Sequence, residues 1–388
     1  MNTPRIAVIG AGPGGLTCAT ILQKHGIAVT VHEADAAAGV RDQGGSLDLH
    51  ADSGQLALKE AGLLESFFAL SRPEGQEMRQ YDATSGELGF HHVPDEDEAH
   101  RPEIERGVLR DMLLDSLTPG TVRWGHALRA VEGPSDGPRL LRFTDGTTTE
   151  ADLVIGADGA WSPVRAAISA ALPQYTGITF VEAWFHDADT RHPDIAEFVG
   201  NGSAIAGDGA RGMFAQHNGG GHIRVYLIQR LALDWLAQAG LTHDDTEGIR
   251  AFLLDAYRDW APGLRRVITD NDGRYLQRPI NALPVPHIWE PSPTITLLGD
   301  AAHLMPPLGL GVNLAMLDAL ELALALAHNP VIDDALRAYE KTMIPRSHQM
   351  QAELDGRAAD LMADDPFDAE DPQAHLNAQD NQPRPPAT

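Results

Sequence analysis

Three short patterns carry residues able to do binding chemistry. The first is Gly10-x-Gly12-x-x-Gly15, with Glu33 some twenty residues on. Its first glycine permits a tight turn, its second lets a pyrophosphate approach the backbone, and its third packs helix on strand. The helix that follows presents amides and a positive dipole end to negative charge. A carboxylate at Glu33 can take both hydroxyls of an adenosine ribose and would repel a 2′-phosphate. The second pattern is Gly299-Asp300-Ala301-Ala302-His303. A carboxylate after a buried strand sits where α/β sheets bind ligands and can accept from polyol hydroxyls, although Asp is also a good helix cap. The third, Pro306-Pro307-Leu308-Gly309-Leu310-Gly311-Val312-Asn313, opens an apolar helix whose free amides can stabilise an anion.

Positioning these residues requires particular elements. Residues 6–9 form a short apolar run before the glycine turn, 16–25 have helical spacing, and 28–32 read as the next strand, ending at Glu33. A helix is predicted near 53–61, with Gly62 as its stop. Residues 77–81 and 87–93 flank Ser85-Gly86 as a hairpin, and Asp145-Gly146 turns a second one. Residues 106–117 are amphipathic, and 153–157 form a buried strand ending at Asp158-Gly159. From about 177 to 278 short alternating segments broken by glycine clusters predict a β-rich module, followed by a helix near 246–260. Residues 294–298 read as another buried strand, 311–327 as a helix and 333–362 as a long one. Strand–turn–helix units at both ends of a β-rich insertion predict a discontinuous nucleotide-binding domain interrupted by a second domain.

Composition bounds the rest. The chain has 388 residues, 43% hydrophobic and 22% charged, which suits two packed domains with real cores. A single cysteine, Cys18, excludes a disulfide scaffold and any cysteine-based metal site, and reads as a small buried apolar residue. With 29 basic against 55 acidic residues, net charge −26, the chain repels phosphate backbones, so nucleic acid is not an expected partner. The stretch 312–327 carries Asn313, Asp318 and Glu321 and reads as too short and too charged for a membrane span. Met1 to Arg5 lead straight into the first strand, so no signal peptide is expected, and a cytoplasmic location follows as the expectation. His91-His92 falls on a hairpin with no third ligand at metal spacing and reads as solvated.

With Gly156-Ala157-Asp158-Gly159-Ala160-Trp161-Ser162-Pro163-Val164-Arg165 added, three motifs stand in order, and over residues 1 to about 345 the chain resembles the class A, para-hydroxybenzoate hydroxylase-like flavin monooxygenases. A narrower resemblance, to the tetracycline-inactivating flavin monooxygenases, rests on Arg41-x-x-Gly44-Gly45-x-Leu47-Asp48-Leu49-His50, Ser53-Gly54-Gln55, Ala61-Gly62-Leu63-Leu64 and Pro102-Glu103-Ile104-x-Arg106-x-x-Leu109-Arg110. The resemblance implies an α/β fold: a Rossmann-like FAD-binding domain of the glutathione reductase type (1–72, 100–176 and 279–330) with an inserted β-sheet substrate domain (73–99 and 177–278). A bridging C-terminal helix (331–363) and an acidic, proline-rich disordered tail (364–388) complete the expectation.

It also implies FAD as cofactor, NADPH as transient reductant, and hydroxylation through a flavin hydroperoxide, with the flavin rather than a side chain carrying the chemistry. The substrate implied is a polycyclic aromatic or enolic molecule, possibly a tetracycline. The alternatives are an aromatic or polyketide hydroxylase of biosynthesis or catabolism, or a FAD oxidoreductase without oxygen insertion. The implied cofactor residues are Gly10, Gly12, Gly15, Glu33, Asp48, Arg106, Arg110, Asp300, Pro307, Gly311, Val312 and Asn313, with Arg41 for NADPH and Asp158 tied to both nucleotides. Small molecules and O2 are the implied partners, and a monomer is expected. One departure concerns the Gly309-Leu310-Gly311 loop, which has Leu where the family has Gln and is one residue shorter.

Overall fold

The computed structural model describes residues 3–40, 44–95, 101–354 and 362. The chain divides into two compact units, Met1–Arg72 with Ala99–Thr176 and Asn281–Asp355, and Pro73–Glu98 with Gly177–Ile280 and Gly356–Thr388.

The first unit is built on a five-stranded sheet in the order Ile295–Leu297, Leu153–Gly156, Ile6–Ile9, Val29–His32, Val122–Arg123. All four pairings are parallel. Ile6–Ile9 and Leu153–Gly156 are buried along their whole length, as strands covered on both faces must be. Register places Ile9 beside both His32 and Gly156, and Gly156 beside Leu297. The residues that follow each strand therefore emerge along one edge.

Helix Pro13–Lys24 has Pro in its first turn, where no intrahelical N–H is lost. Helix Gly311–His328 packs against it. Close approach depends on Gly14, where a Cβ would lie 3.0 Å from the Ala315 carbonyl oxygen and 2.8 Å from Leu298 Cδ1. Gly311–His328 is long and apolar enough to cross a bilayer by length and hydropathy alone, contrary to the reading from sequence. In the fold it carries Met316, Ala319, Leu322 and Ala323 into the core, together with the fully buried Asp318. The last helix, Ile332–Leu354, lies against it and donates Tyr339 Oη–H to Leu297 O at 2.9 Å.

The second unit holds a seven-stranded sheet in which Ser203–Gly207 runs parallel to Met78–Asp82 and four other pairings are antiparallel. Val181, Ala183 and Phe185 alternate along one strand and pair with Leu227, Val225 and Ile223 of the next. This face is buried with Ile249, Leu253, Leu264 and Val267, which lie on helices Thr246–Ala256 and Pro262–Thr269. The sequence reading ran the first helix on to residue 260 and had none at Pro262–Thr269, where Pro262 opens a separate helix. It also missed the seven-residue helix Leu64–Leu70, too short to show a periodicity. His91, read as solvated, bonds Glu77 through Nε2 at 2.8 Å.

Tyr257 is fully buried, and its hydroxyl lies 2.9 Å from Gly212 O and 3.2 Å from Ile228 O on adjacent strands. Tyr257→Phe leaves the ring packing and removes the hydroxyl between those carbonyls. Urea unfolding should show a loss of about 1–3 kcal/mol in the second unit; an unchanged midpoint would remove the hydroxyl from the account.

Candidate functional site

The glycine turn divides its three glycines by role. Gly10 has φ +104°, and a Cβ there would lie 2.3 Å from Ala157 O on the neighbouring loop. A Cβ on Gly15 would lie 2.1 Å from Gly10 O, so the helix rests directly on its own turn. A Cβ on Gly12 would meet nothing within 4 Å. Gly10 and Gly15 therefore shape the protein, whereas Gly12 leaves room for a molecule outside it.

Glu33, at the end of the next strand, is buried. Its Oε2 accepts from Ala11 N at 2.6 Å and its Oε1 from Asp35 N at 2.9 Å. The carboxylate thus fixes the glycine turn, and each oxygen keeps a further lone pair for a hydroxyl. Arg110 reaches the same turn from helix Arg106–Asp115: its Nε donates to Ala11 O at 3.1 Å, a terminal nitrogen pairs with Asp35 at 3.3 Å, and the guanidinium lies over Trp124. Arg110 is buried and engaged with protein, so its part is to hold the turn.

A second cluster surrounds Asn313, in the first turn of helix Gly311–His328. Its Oδ1 accepts from His50 N at 2.8 Å, and its Nδ2 donates to Asp48 O at 2.9 Å. One buried amide thereby fastens the segment after Ser46–Asp48 to the helix. Asp48 pairs with His50 Nε2 at 2.9 Å. A Cβ on Gly309 would lie 4.0 Å from Asp48 Oδ1, and one on Gly311 4.0 Å from Asp300 Oδ1. The 309–311 loop thus runs from one carboxylate to the other. The amides of residues 311–313 precede the first helical bond, Leu314 N to Leu310 O at 3.0 Å. Val312 is half-buried and Pro307 exposed on this segment.

Asp158 and Asp300 follow adjacent strands. Asp158 Oδ2 accepts from Val164 N at 3.2 Å, while its Oδ1 is buried with no hydrogen-bond partner. Burial raises its pKa. Burial likewise raises that of Asp300, opposed by the charges of His303, Arg106 and Arg165. Asp300 is nonetheless exposed to solvent. Asp300 is thus a carboxylate that a ligand arriving from solvent can reach.

Arg165, which closes the Asp158 motif, received no role from sequence. It is buried at 2% exposure and donates to Ala301 O at 3.1 Å and Asp300 O at 3.4 Å, joining the two loops. His303 is buried and paired through Nε2 with Asp318 Oδ2 at 2.6 Å, which marks it as part of the scaffold. Asp318 was hidden among the leucines of its helix; a lone acid on an apolar face was the only signal. Arg41 lies outside the described residues, as does the acidic tail. Cys18 is fully buried, which pushes its thiol up to about 12.

An open glycine, a buried carboxylate oxygen without a partner and a solvent-reached carboxylate on one sheet edge fit a dinucleotide. Gly10→Ala should therefore destabilise the folded protein by about 1–3 kcal/mol or more. Gly12→Ala should leave the melting temperature of the flavin-free protein unchanged while reducing nucleotide affinity at least tenfold. Calorimetry with FAD titration of both variants checks this, and equal behaviour of the two would contradict the division of roles.

Comparison with known proteins gives a concordant picture. The FAD binding domain family matches residues 3–229 and 293–353. Monooxygenase penA of Penicillium thymicola is 30% identical over 402 residues, covering 88% of this chain and 92% of its own. The 3-amino-4-hydroxybenzoate 2-monooxygenase PtmB3 of Streptomyces platensis is 32% identical over 376 residues, covering 90% and 86%. Among solved structures, Klebsiella pneumoniae HpxO complexed with FAD and uric acid has a TM-score of 0.78 at 23% identity, covering 97% of this chain and 95% of that one. The tetracycline destructase Tet(55) has a TM-score of 0.72 at 21% identity, covering 97% and 94%. At these identities the two structures share the fold.

Proposed function

This chain belongs to the FAD binding domain family and is a FAD-dependent monooxygenase of the para-hydroxybenzoate hydroxylase-like group, and from that premise we propose that it hydroxylates a polycyclic aromatic or enolic substrate at the expense of NADPH and O2. The observation that supports its cofactor part is the cradle on one sheet edge: open Gly12, buried Glu33, the Asp158 oxygen without a partner and solvent-reached Asp300.

In this reading Gly12 and the amides opening helix Pro13–Lys24 receive the pyrophosphate, where the helix dipole favours negative charge. Glu33 receives the adenosine ribose, and Asp300 the hydroxyls of the polyol chain. Asp48, Arg106 and the amides of residues 311–313 would hold the flavin ring, where the helix N-terminus would favour negative charge. Bound FAD supplies the redox and oxygen-activating chemistry. The chain's own residues bind it, orient it and exclude water. NADPH would contribute two electrons, one oxygen atom entering the substrate and the other leaving as water. Of the two Gly-x-Gly-x-x-Gly patterns, the one at 207–212 joins two antiparallel strands, and the one that opens a helix is assigned above to FAD, so NADPH needs another docking place. Arg41 is the residue proposed for it, since a guanidinium pairs well with phosphate oxygens.

Two substrate classes have support. The name of PtmB3 favours amino- or hydroxybenzoates. The motif likeness over residues 41–110 favours a tetracycline-like polycycle, with the Tet(55) fold in agreement. Both present an electron-rich enolic or phenolic carbon.

A screen of NADPH oxidation and O2 uptake over tetracyclines, aminohydroxybenzoates and simple phenols tests the proposal. The expected result is substrate-stimulated, equimolar consumption with product heavier by one oxygen atom. Peroxide released in place of oxygenated product across the whole panel would favour an oxidase instead.

A further inference from the structure

The turn Gly299–His303 carries Asp300, and side chains from three separate segments hold its backbone. Asp318 Oδ2, from helix Gly311–His328, accepts from Gly299 N at 3.0 Å and pairs with His303 Nε2 at 2.6 Å, so the two ends of the turn meet on one oxygen. Arg165 donates to the carbonyls of Asp300 and Ala301. His287 Nδ1 lies 2.6 Å from Ala302 O, and its Nε2 lies 2.9 Å from Ser169 Oγ. Gly299 itself has φ +59°, and a Cβ there would lie 2.9 Å from Ala315 Cβ, so the turn is pressed onto the Asp318 helix.

Asp318 is fully buried, and a bare carboxylate there would be costly. Arg346 of the last helix pairs with its other oxygen at 2.7 Å and also engages Glu321. Burial alone would favour the neutral forms of His303 and Asp318, but their pairing prevails: the pKa of His303 is raised and that of Asp318 lowered. The pairing thus favours the charged form of each partner, and charge on His303 also opposes the effect of burial on Asp300.

We infer that Asp318, acting through His303 and Gly299, is a positioning residue for the cofactor: it sets the backbone that carries Asp300 without touching the bound molecule. The inference rests on the proposed role of Asp300 toward FAD. Two ends of a five-residue turn on a single oxygen leave the Asp300 carboxylate little freedom, and a misplacement of about 1 Å at such a site is costly. A purely structural Asp318 would contribute to stability alone.

A double-mutant cycle on the full-length flavoprotein separates these roles. FAD dissociation constants come from flavin fluorescence on serial dilution of the holoenzyme, with circular dichroism confirming the fold. Asp300→Ala should weaken FAD roughly 10- to 150-fold, and Asp318→Asn about tenfold. The double variant should be no weaker than Asp300→Ala beyond about twofold. If Asp318→Asn does not fold, His303→Gln replaces it, because it keeps the Gly299 and Arg346 contacts of Asp318. Additive losses would overturn the inference while leaving Asp300 in its role. Unchanged affinity in Asp300→Ala would remove the role of Asp300 and the inference together.

Discussion

The parallel alignment of four strands governs everything at this site. Because Ile9 is level with His32 and Gly156, and Gly156 with Leu297, the chain leaves the sheet at one edge each time it passes through. Gly10 and Glu33 are the first residues beyond their strands, Asp158 the second and Asp300 the third. Their convergence follows from hydrogen-bond register. The loops then need only short tethers, such as the Glu33 carboxylate on Ala11 N or the Arg165 guanidinium on the Asp300 loop.

Charge is handled with the same economy of parts. A protein of net charge −26 holding a diphosphate cannot rely on its overall field. The donors available near the glycine turn are backbone amides at helix starts, which carry no side-chain charge and lie in a fixed direction. The buried arginines at this edge, Arg110 and Arg165, spend their donors on protein carbonyls and on Asp35, and so stiffen the site.

Buried ionisable groups elsewhere in the first unit are likewise engaged in support. Glu340 accepts from Trp289 Nε1 and Thr296 Oγ1, and Asp318 gathers Gly299, His303 and Arg346. Breaking such a pair by removing one partner typically costs about 3–5 kcal/mol, because the remaining charge stays buried. A site built around a bound flavin needs this rigidity, since the protein contributes orientation and exclusion of water to the cofactor's chemistry.

The glycine spacing, the Asp-Gly and Gly-Asp strand ends and the β-rich insert were all legible from local pattern, because each depends on residues adjacent in the chain. Parallel strands buried on both faces appear as unbroken apolar runs, so residues 6–9 and 153–156 declared themselves. Boundaries set by a single proline, as at Pro262, or by one short turn, as at Leu64–Leu70, did not, since no period develops over so few residues. Nor could the sequence show that Arg110 bonds Ala11 O and Asp35, or that Arg165 bonds the carbonyls of the Asp300 loop. Asn313 fastening Asp48 across 265 positions, and Asp318 holding His303 within a helix that reads as pure core, are decided by which side chains meet after packing. The sequence determined which groups are available at the strand ends; tertiary packing decided which of them remain open to a ligand, because every hydrogen bond accepted from the protein is one fewer to offer.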